Sequence, residues 1–255
     1  LSNTHITLTA LPYIPLIQPG DDLAQIIINA LTQAPFTLAE GDILVISSKI
    51  ISKAENRYVD LRQVEPSQTA LELARKVKKD PRLVELTLQN SSGVSRSAPN
   101  VLIVRHHLGF TSANAGIDVS NIAMDNPDLV LLLPADPDQS AQQLLEALTA
   151  HYSLRLAIVI SDTHGRPFRY GNLNVAIGLA GLPALIDQRG EHDLFGRELK
   201  VTITPLADEL AAAAGLISGQ ADEGQPVVIV RGVHWQPSQH TARDLIRNPK
   251  EDLYN

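Results

Sequence analysis

Apolar, β-branched runs alternate with helical patterns along most of the chain. The runs Ile43–Ser48 (ILVISS), Val101–Val104, Leu129–Leu133, Leu156–Ser161 (LAIVIS), Lys200–Thr204 and Val227–Val230 predict strands. Several are apolar without interruption, the pattern of strands covered on both faces. Helical spacing predicts helices over Asp22–Thr32, Ser67–Val77, Pro81–Gln89, Gln139–Ala150 and Ala207–Ile217. Pro81 behind Asp80 is a capped start, because proline at the first helical position gives up an N–H that has no partner there. Asp208 and Glu209 fall in the first turn of the Ala-rich helix, where the macrodipole favours acids, so their reading is structural.

No repeat, low-complexity linker or break in composition divides the chain. The pattern predicts a mixed α/β (α+β) fold with buried strands and flanking helices, in a single domain over 1–255 with room for two subdomains. Two Gly/Asn-rich stretches, Gly109–Asn121 and Asp162–Gly181, lie between strands and read as long functional loops. Apolar residues make up 44% and charged residues 19%, enough for a sizeable core. The net charge of −7 argues against a nucleic-acid partner but leaves room for a small anionic substrate held by local arginines. With no cysteine, thiolate metal sites and thiol nucleophiles are excluded. Metal ligands must then be carboxylate, hydroxyl, amide or imidazole, and the first three favour hard ions such as magnesium or manganese. No apolar run approaches the roughly 18 residues of a membrane span. Leu1–Ile17 lacks a basic n-region and carries Pro12 and Pro15, unlike a signal peptide. The expectation is a cytoplasmic protein with no membrane partner.

The P-loop, the dinucleotide G-x-G-x-x-G, H-E-x-x-H and G-x-S-x-G are all absent, so neither a P-loop nor a Rossmann fold is indicated. Polar clusters stand instead at strand ends. Ser48, Lys49, Ser52 and Lys53 follow ILVIS; Asp118, Ser120 and Asn121 follow VLIVRHH; Asp162, Thr163, Arg166 and Arg169 follow LAIVIS. Singly, each has an ordinary reading: an Asp after a strand is a turn or cap residue, Ser-Lys pairs are solvated, and His106, His107 and His164 are structural. Jointly they are the parts of a metal–phosphate site, since hard cations need oxygen ligands and phosphates need lysine, arginine and N–H donors. Read this way alone, the residues suit a metal-dependent phosphohydrolase as well as any other phosphoryl chemistry.

An ordered set of blocks carries a resemblance. It comprises IPLIQPGDDL (Ile14–Leu23), GDILVISSKIISKAE (Gly41–Glu55), NAGIDVSN (Asn114–Asn121), LLLPADPD (Leu131–Asp138) and ISDTHGRPFR (Ile160–Arg169). AIGLAG (Ala176–Gly181), DQRGEHDLFGREL (Asp187–Leu199) and ADELAAAA (Ala207–Ala214) follow. Together, from about Ile14 to Gly232, they resemble the coenzyme F420-0:L-glutamate ligase (γ-glutamyl ligase) family.

The resemblance implies a family-specific ligase fold and a homodimer. It implies GTP-dependent addition of L-glutamate, through its amine, to the terminal carboxylate of F420-0; some members add further γ-linked glutamates. It places divalent metal (Mg or Mn) on Asp118, Asp162, Thr163 and Gln220, and allows a monovalent cation. GTP contacts fall on Ile14, Pro15, Leu16, Ile17, Ser48, Lys49, Lys53 and Asn121, and on the loop Ser218, Gly219, Gln220, Ala221, Asp222, Glu223, Gly224 and Gln225. Asp118, Asp162 and Lys53 are the candidate catalytic residues. Arg166, Arg169, Arg189 and Arg197 are candidates for the acidic substrates, with loop bracing by Asp187, Arg189 and Asp193 an equal alternative for that segment. The run Ala242–Tyr254 resembles the segment that, in two-domain relatives, leads into a nitroreductase-like domain; none is expected within this chain. A family member that binds nucleotide and metal without ligating is the other alternative.

Overall fold

The strand Ile43–Ser47 is buried along both faces, with Ile43 and Val45 on one side and Leu44 and Ile46 on the other. That position, in the middle of a sheet with helices on each side, is what its unbroken apolar run requires. In the computed structural model, which describes residues 5–122, 126–248 and 250–251, the elements run as follows. The first part holds β1 (Thr7–Ala10), α1 (Leu23–Gln33), β2 (Ile43–Ser47), α2 (Ser48–Ala54) and β3 (Tyr58–Asp60). Then come α3 (Gln68–Val77), α4 (Pro81–Gln89), β4 (Ser91–Ala98), β5 (Val101–His106), β6 (Thr111–Ala113) and β7 (Leu129–Leu131). The last part holds α5 (Pro137–Tyr152), β8 (Ala157–Gly165), β9 (Asn172–Ala180), β10 (Ile186–Asp187), β11 (Ile203–Thr204), α6 (Leu206–Ser218) and β12 (Val227–Arg231).

The central sheet has the order β1-β12-β2-β8-β9, with β2 and β8 parallel and the other neighbours antiparallel. On one face Leu44, Ile46, Ile158, Ile160 and Ile229 pack with Ile27 and Leu31 of α1 and Leu144 and Leu148 of α5. On the other, Val45, Val159, Val228 and Val230 pack with Leu210, Ala211 and Ala214 of α6 and with Trp235. A third cluster joins α3 and α4 to β5 through Ala70, Val77, Val84, Leu102 and Val104. The architecture is α/β, as the alternating pattern predicts. Among the described residues no helix is long and apolar enough to cross a membrane.

Several expectations change: Gly109–Asn121, expected as a loop, holds β6, and the strand expected at Leu129–Leu133 ends at Leu131. The strand expected at Ile43–Ser48 ends at Ser47, and Ser48 opens the unexpected short helix α2. Asp162–Gly181, expected as a loop, is mostly the hairpin β8–β9, because Leu173, Val175 and Ile177 alternate with polar or small residues once the chain is extended. Only Ile203–Thr204 of the expected strand Lys200–Thr204 is paired, since it has nothing but β10 beside it. The capped start at Asp80-Pro81 holds, and the Asp22 and Ser67 side chains cap α1 and α3; α5, expected from Gln139, starts two residues earlier at Pro137, capped by Asp136.

Candidate active site

The register of two parallel strands builds the first half of the site. The last β2–β8 pair is Ser47 with Ser161, so Ser48 and Asp162 stand side by side one step beyond it. Ser48, buried at the start of α2, donates its hydroxyl to Asp162 Oδ1 at 2.9 Å. Asp162 and His164 are two apart on one strand and so share a face. His164 Nε2 lies 3.1 Å from Asp162 Oδ2, leaving each carboxylate oxygen with one anchor. His164 is packed against Phe110, which stacks in turn on His106. Burial, and the charge of neighbouring His107, push the His106 imidazole down to about 4, so it is a neutral side chain.

Asp118 arrives from a different direction. Asn114, Ala115 and Gly116 all take left-handed φ values of 49°, 55° and 67°. The turn delivers Asp118 to β7, where its N–H and carbonyl both bond Leu131 at 2.9 Å. The side chain then meets α2: Lys49 Nζ is 2.8 Å from Asp118 Oδ2, and the Ser120 N–H and hydroxyl both donate to Oδ1 at 2.8 Å. Burial raises the Asp118 carboxyl, but Lys49 and Ser120 outweigh it and hold the group below the ordinary carboxylate value. Lys53, one helical turn after Lys49, donates to the Asn121 carbonyl at 2.9 Å. Its pKa is lowered, by burial first and by the Lys49 charge second.

Thr163 points to the opposite face of β8, toward the end of α6. Its hydroxyl donates to Gln220 Oε1 at 3.0 Å, and the Gln220 amide donates to Asn174 Oδ1 at 2.8 Å. The Asn121 amide reaches Ala221 O at 3.0 Å, so the Asp118 turn and the 218–225 loop are tied together. In that loop the Glu223 carboxylate folds back over Gly219, whose φ of 68° and lack of a Cβ both make room for it. Hydrogen bonds from the Ala221 N–H and its neighbours hold Glu223 below the usual carboxylate value. The loop runs into β12, with Pro226 O accepting from the Ser47 N–H. The 14–17 segment leaves the same end of the sheet, after Leu11 N bonds Val227 O; Ile17 is buried there and Pro15 and Leu16 are exposed.

The structure therefore brings these residues to one region in separate bonded groups: Ser48 with Asp162, Lys49 with Asp118, Lys53 with Asn121 and Thr163 with Gln220. Among the described residues no three His, Asp or Glu side chains converge as a metal cluster. The arginines divide. Arg166 and Arg169 lie at the tip of the β8–β9 hairpin, just past Asp162, where Arg166 donates to Gly171 O. Arg189 is closed onto Asp187 by bonds of 2.5 and 2.8 Å. The Arg197 N–H donates to Asp193 Oδ1. Both sit on an exposed arm that leaves the sheet after Ala180, which pairs with Ile158 at the end away from Asp162. Asp208 accepts from Ala176 N, consistent with its structural reading. Sequence reasoning missed Asn174, because its strand was taken for loop; the alternation of Leu173, Val175 and Ile177 around it was the available signal.

Fold and site define an α/β protein with an oxygen-rich centre flanked by two ammonium groups at the end of parallel strands. The sequence pattern of the F420-0:Gamma-glutamyl ligase family matches residues 13–232. The coenzyme F420:L-glutamate ligase of Methanothermobacter thermautotrophicus is 46% identical over 251 residues, covering 98% of each chain. That of Methanopyrus kandleri is 43% identical over 242 residues, 93% of each chain, and that of Natronomonas pharaonis 42% over 245, 94% of this chain and 90% of its own. The chain belongs to the F420-0:γ-glutamyl ligase family.

Proposed function

We propose that this chain is a ligase that joins the amine of L-glutamate to the terminal carboxylate of coenzyme F420-0 at the expense of GTP. The observation that carries the reading is the grouping of Asp118, Asp162, Thr163 and Gln220 with Lys49 and Lys53 around α2 and β8, in a chain whose relatives are named for that reaction. A carboxylate does not acylate an amine at neutral pH, because its oxygen leaves poorly. Phosphorylating that oxygen with the γ-phosphate of GTP turns it into a good leaving group, and the amine then displaces phosphate. Phosphoryl transfer spreads negative charge over oxygens, so the protein's part is position and positive charge. Lys49 and Lys53 supply it on one helix face. With no cysteine, a thioester route is closed to the chain.

Asp118 and Asp162 on one side of β8, and Thr163 with Gln220 on the other, present the oxygen donors that hard divalent cations such as magnesium or manganese favour, and Asp118 already pairs with an ammonium group. When bound, such an ion offsets the charge of the transferring phosphate. Arg166 and Arg169, at the hairpin tip beyond Asp162, are the groups assigned in this reading to the phosphodiester and carboxylate of F420-0. The protein acts as a homodimer in this reading: Phe168 and Tyr170 at one hairpin tip and Leu194 and Phe195 on the arm are almost fully exposed, and a second copy would cover them.

The test is phosphate release from GTP. A ligase releases it only when F420-0 and glutamate are both present, and oxygen-18 in the accepting carboxylate passes to the phosphate. Release without either acceptor would instead favour a phosphohydrolase, and nucleotide binding with no release a non-ligating member. Light scattering at micromolar concentration checks the dimer against the 27.6 kDa chain.

A further inference from the structure

We propose that Asn174 is a positioning residue that fixes which end of the Gln220 amide faces the site and gives Thr163 a place for its proton. The inference rests on the reading of Gln220 and Thr163 as metal-holding residues. A glutamine has two unlike ends: its oxygen can hold a cation, and its NH2 group repels one. Asn174 Oδ1 accepts from Gln220 Nε2 at 2.8 Å, which leaves Gln220 Oε1 on the Thr163 side, 3.0 Å from the hydroxyl. Thr163 Oγ1 also lies 3.3 Å from Asn174 Oδ1. A hydroxyl that turns its lone pairs to a cation must donate its one proton elsewhere. Asn174 Oδ1, with two lone pairs, can accept it while still holding Gln220.

Two further observations show that the fold makes room for this contact. A register shift between Ile160 and Ser161 puts Asn174 opposite Thr163; without it, Val175 would stand there. Gly215, inside α6 among alanines, faces the Asn174 side chain, and a Cβ built on it would lie 3.1 Å from Asn174 Cγ. Glycine is a poorer helix former than alanine, and the space that it leaves for the buried Asn174 amide explains its use here. Turning both amides over would satisfy the same contacts but present NH2 beside Thr163, so a variant that can only accept separates the two arrangements.

The experiment measures Mn2+ affinity of the full chain by electron paramagnetic resonance titration, with thermal unfolding alongside. Loss of an outer partner of a metal ligand weakens affinity by about 10- to 100-fold, the range expected for Asn174→Leu. Asn174→Asp keeps the acceptor and is expected to bind Mn2+ as tightly as wild type or more tightly. In a Gln220→Glu background the orienting role disappears, because both carboxylate oxygens can hold a cation; there Asn174→Leu is expected to cost less than about threefold, well under the effect of an outer partner. Gly215→Ala, which favours the helix, is expected to keep the melting temperature while weakening Mn2+ several-fold, and it carries the comparison if Asn174→Leu does not fold. An equal loss from Asn174→Leu in both backgrounds, or weakened binding in Asn174→Asp, overturns the proposal. If Gln220→Leu itself leaves Mn2+ affinity unchanged, the metal reading of Gln220 falls and the proposal with it. If Gln220→Leu weakens binding while Asn174→Leu and Gly215→Ala do not, only the proposal falls.

Discussion

Ser48 Oγ and Asp162 Oδ1 lie 2.9 Å apart although 114 positions separate them in the chain. They meet because β2 and β8 run parallel and in register as far as Ser47 and Ser161, where β2 gives way to helix while β8 runs on, so the first helical residue falls beside the first acidic residue of β8. Ser48→Ala leaves an Asp162 oxygen without its donor in a buried setting, a loss of about 1–3 kcal/mol of interaction. The expected outcome is a fall in kcat/KM of about 10- to 100-fold with circular dichroism unchanged. Wild-type kcat/KM in the variant would show that the contact has no part in turnover.

Asp118→Asn and Asp162→Asn each remove a negative charge at nearly constant shape. The Lys49–Asp118 pair is partly open to solvent, with side chains 27% and 30% exposed, so breaking it should cost no more than about 1 kcal/mol of stability. Ligation and Mn2+ binding are both expected to be lost in either variant while the melting temperature moves by only a few degrees. Full activity in Asp162→Asn would remove it from the site.

Asp42 is fully buried at the other end of the sheet, where Arg231 grips both its oxygens at 2.8 and 2.7 Å. Removing one partner of a buried pair strands the other charge, at a cost of about 3–5 kcal/mol. Arg231→Met should therefore lower urea-unfolding stability by about 3 kcal/mol and leave kcat/KM at 25 °C unchanged. A loss below about 1 kcal/mol would mean that the Ala39 N–H, also bonded to Asp42, is enough to hold the carboxylate.

His106 makes stability depend on pH. Burial first, and then the charge of His107, hold its imidazole at about 4 in the folded protein, against 6.5 for the free side chain. The unfolded chain then binds more protons between these values, so the contribution is present above pH 6.5 and is lost as pH falls toward 4. Between pH 7 and pH 5 the loss is about 2 kcal/mol. The slope of unfolding free energy against pH over that range should flatten in His106→Gln, whatever its absolute stability. An unchanged slope would place the dependence on other groups.

Much of the fold could be read from local signals, because they act within a few residues. Asp80-Pro81 starts α4 as written, and Ser67 and Asp22 cap the helices they precede. Unbroken apolar runs marked the inner strands, since a strand covered on both faces has no polar side to show. The short helix α2 carried no such mark: its seven residues are too few for a clear period, and its amphipathic face appears only once Ile50 and Ile51 meet the core.

By itself, the sequence determined the α/β class, the capped start of α4, the thiolate-free ligand chemistry that follows from having no cysteine, and the residue types of the site. Those depend on composition and short-range pattern. Only the tertiary structure decided which of the polar residues share a centre. The β2–β8 register set Ser48 on Asp162, the left-handed turn at 114–116 brought Asp118 to Lys49, and the shift in β8–β9 put Asn174 opposite Thr163. It also separated Arg189 and Arg197 from that centre, though they belong to the same ordered blocks. Pairing across more than a hundred residues leaves no periodic trace in either segment. A one-residue change in register alters which side chains meet without altering the hydrophobic pattern that is read along the chain.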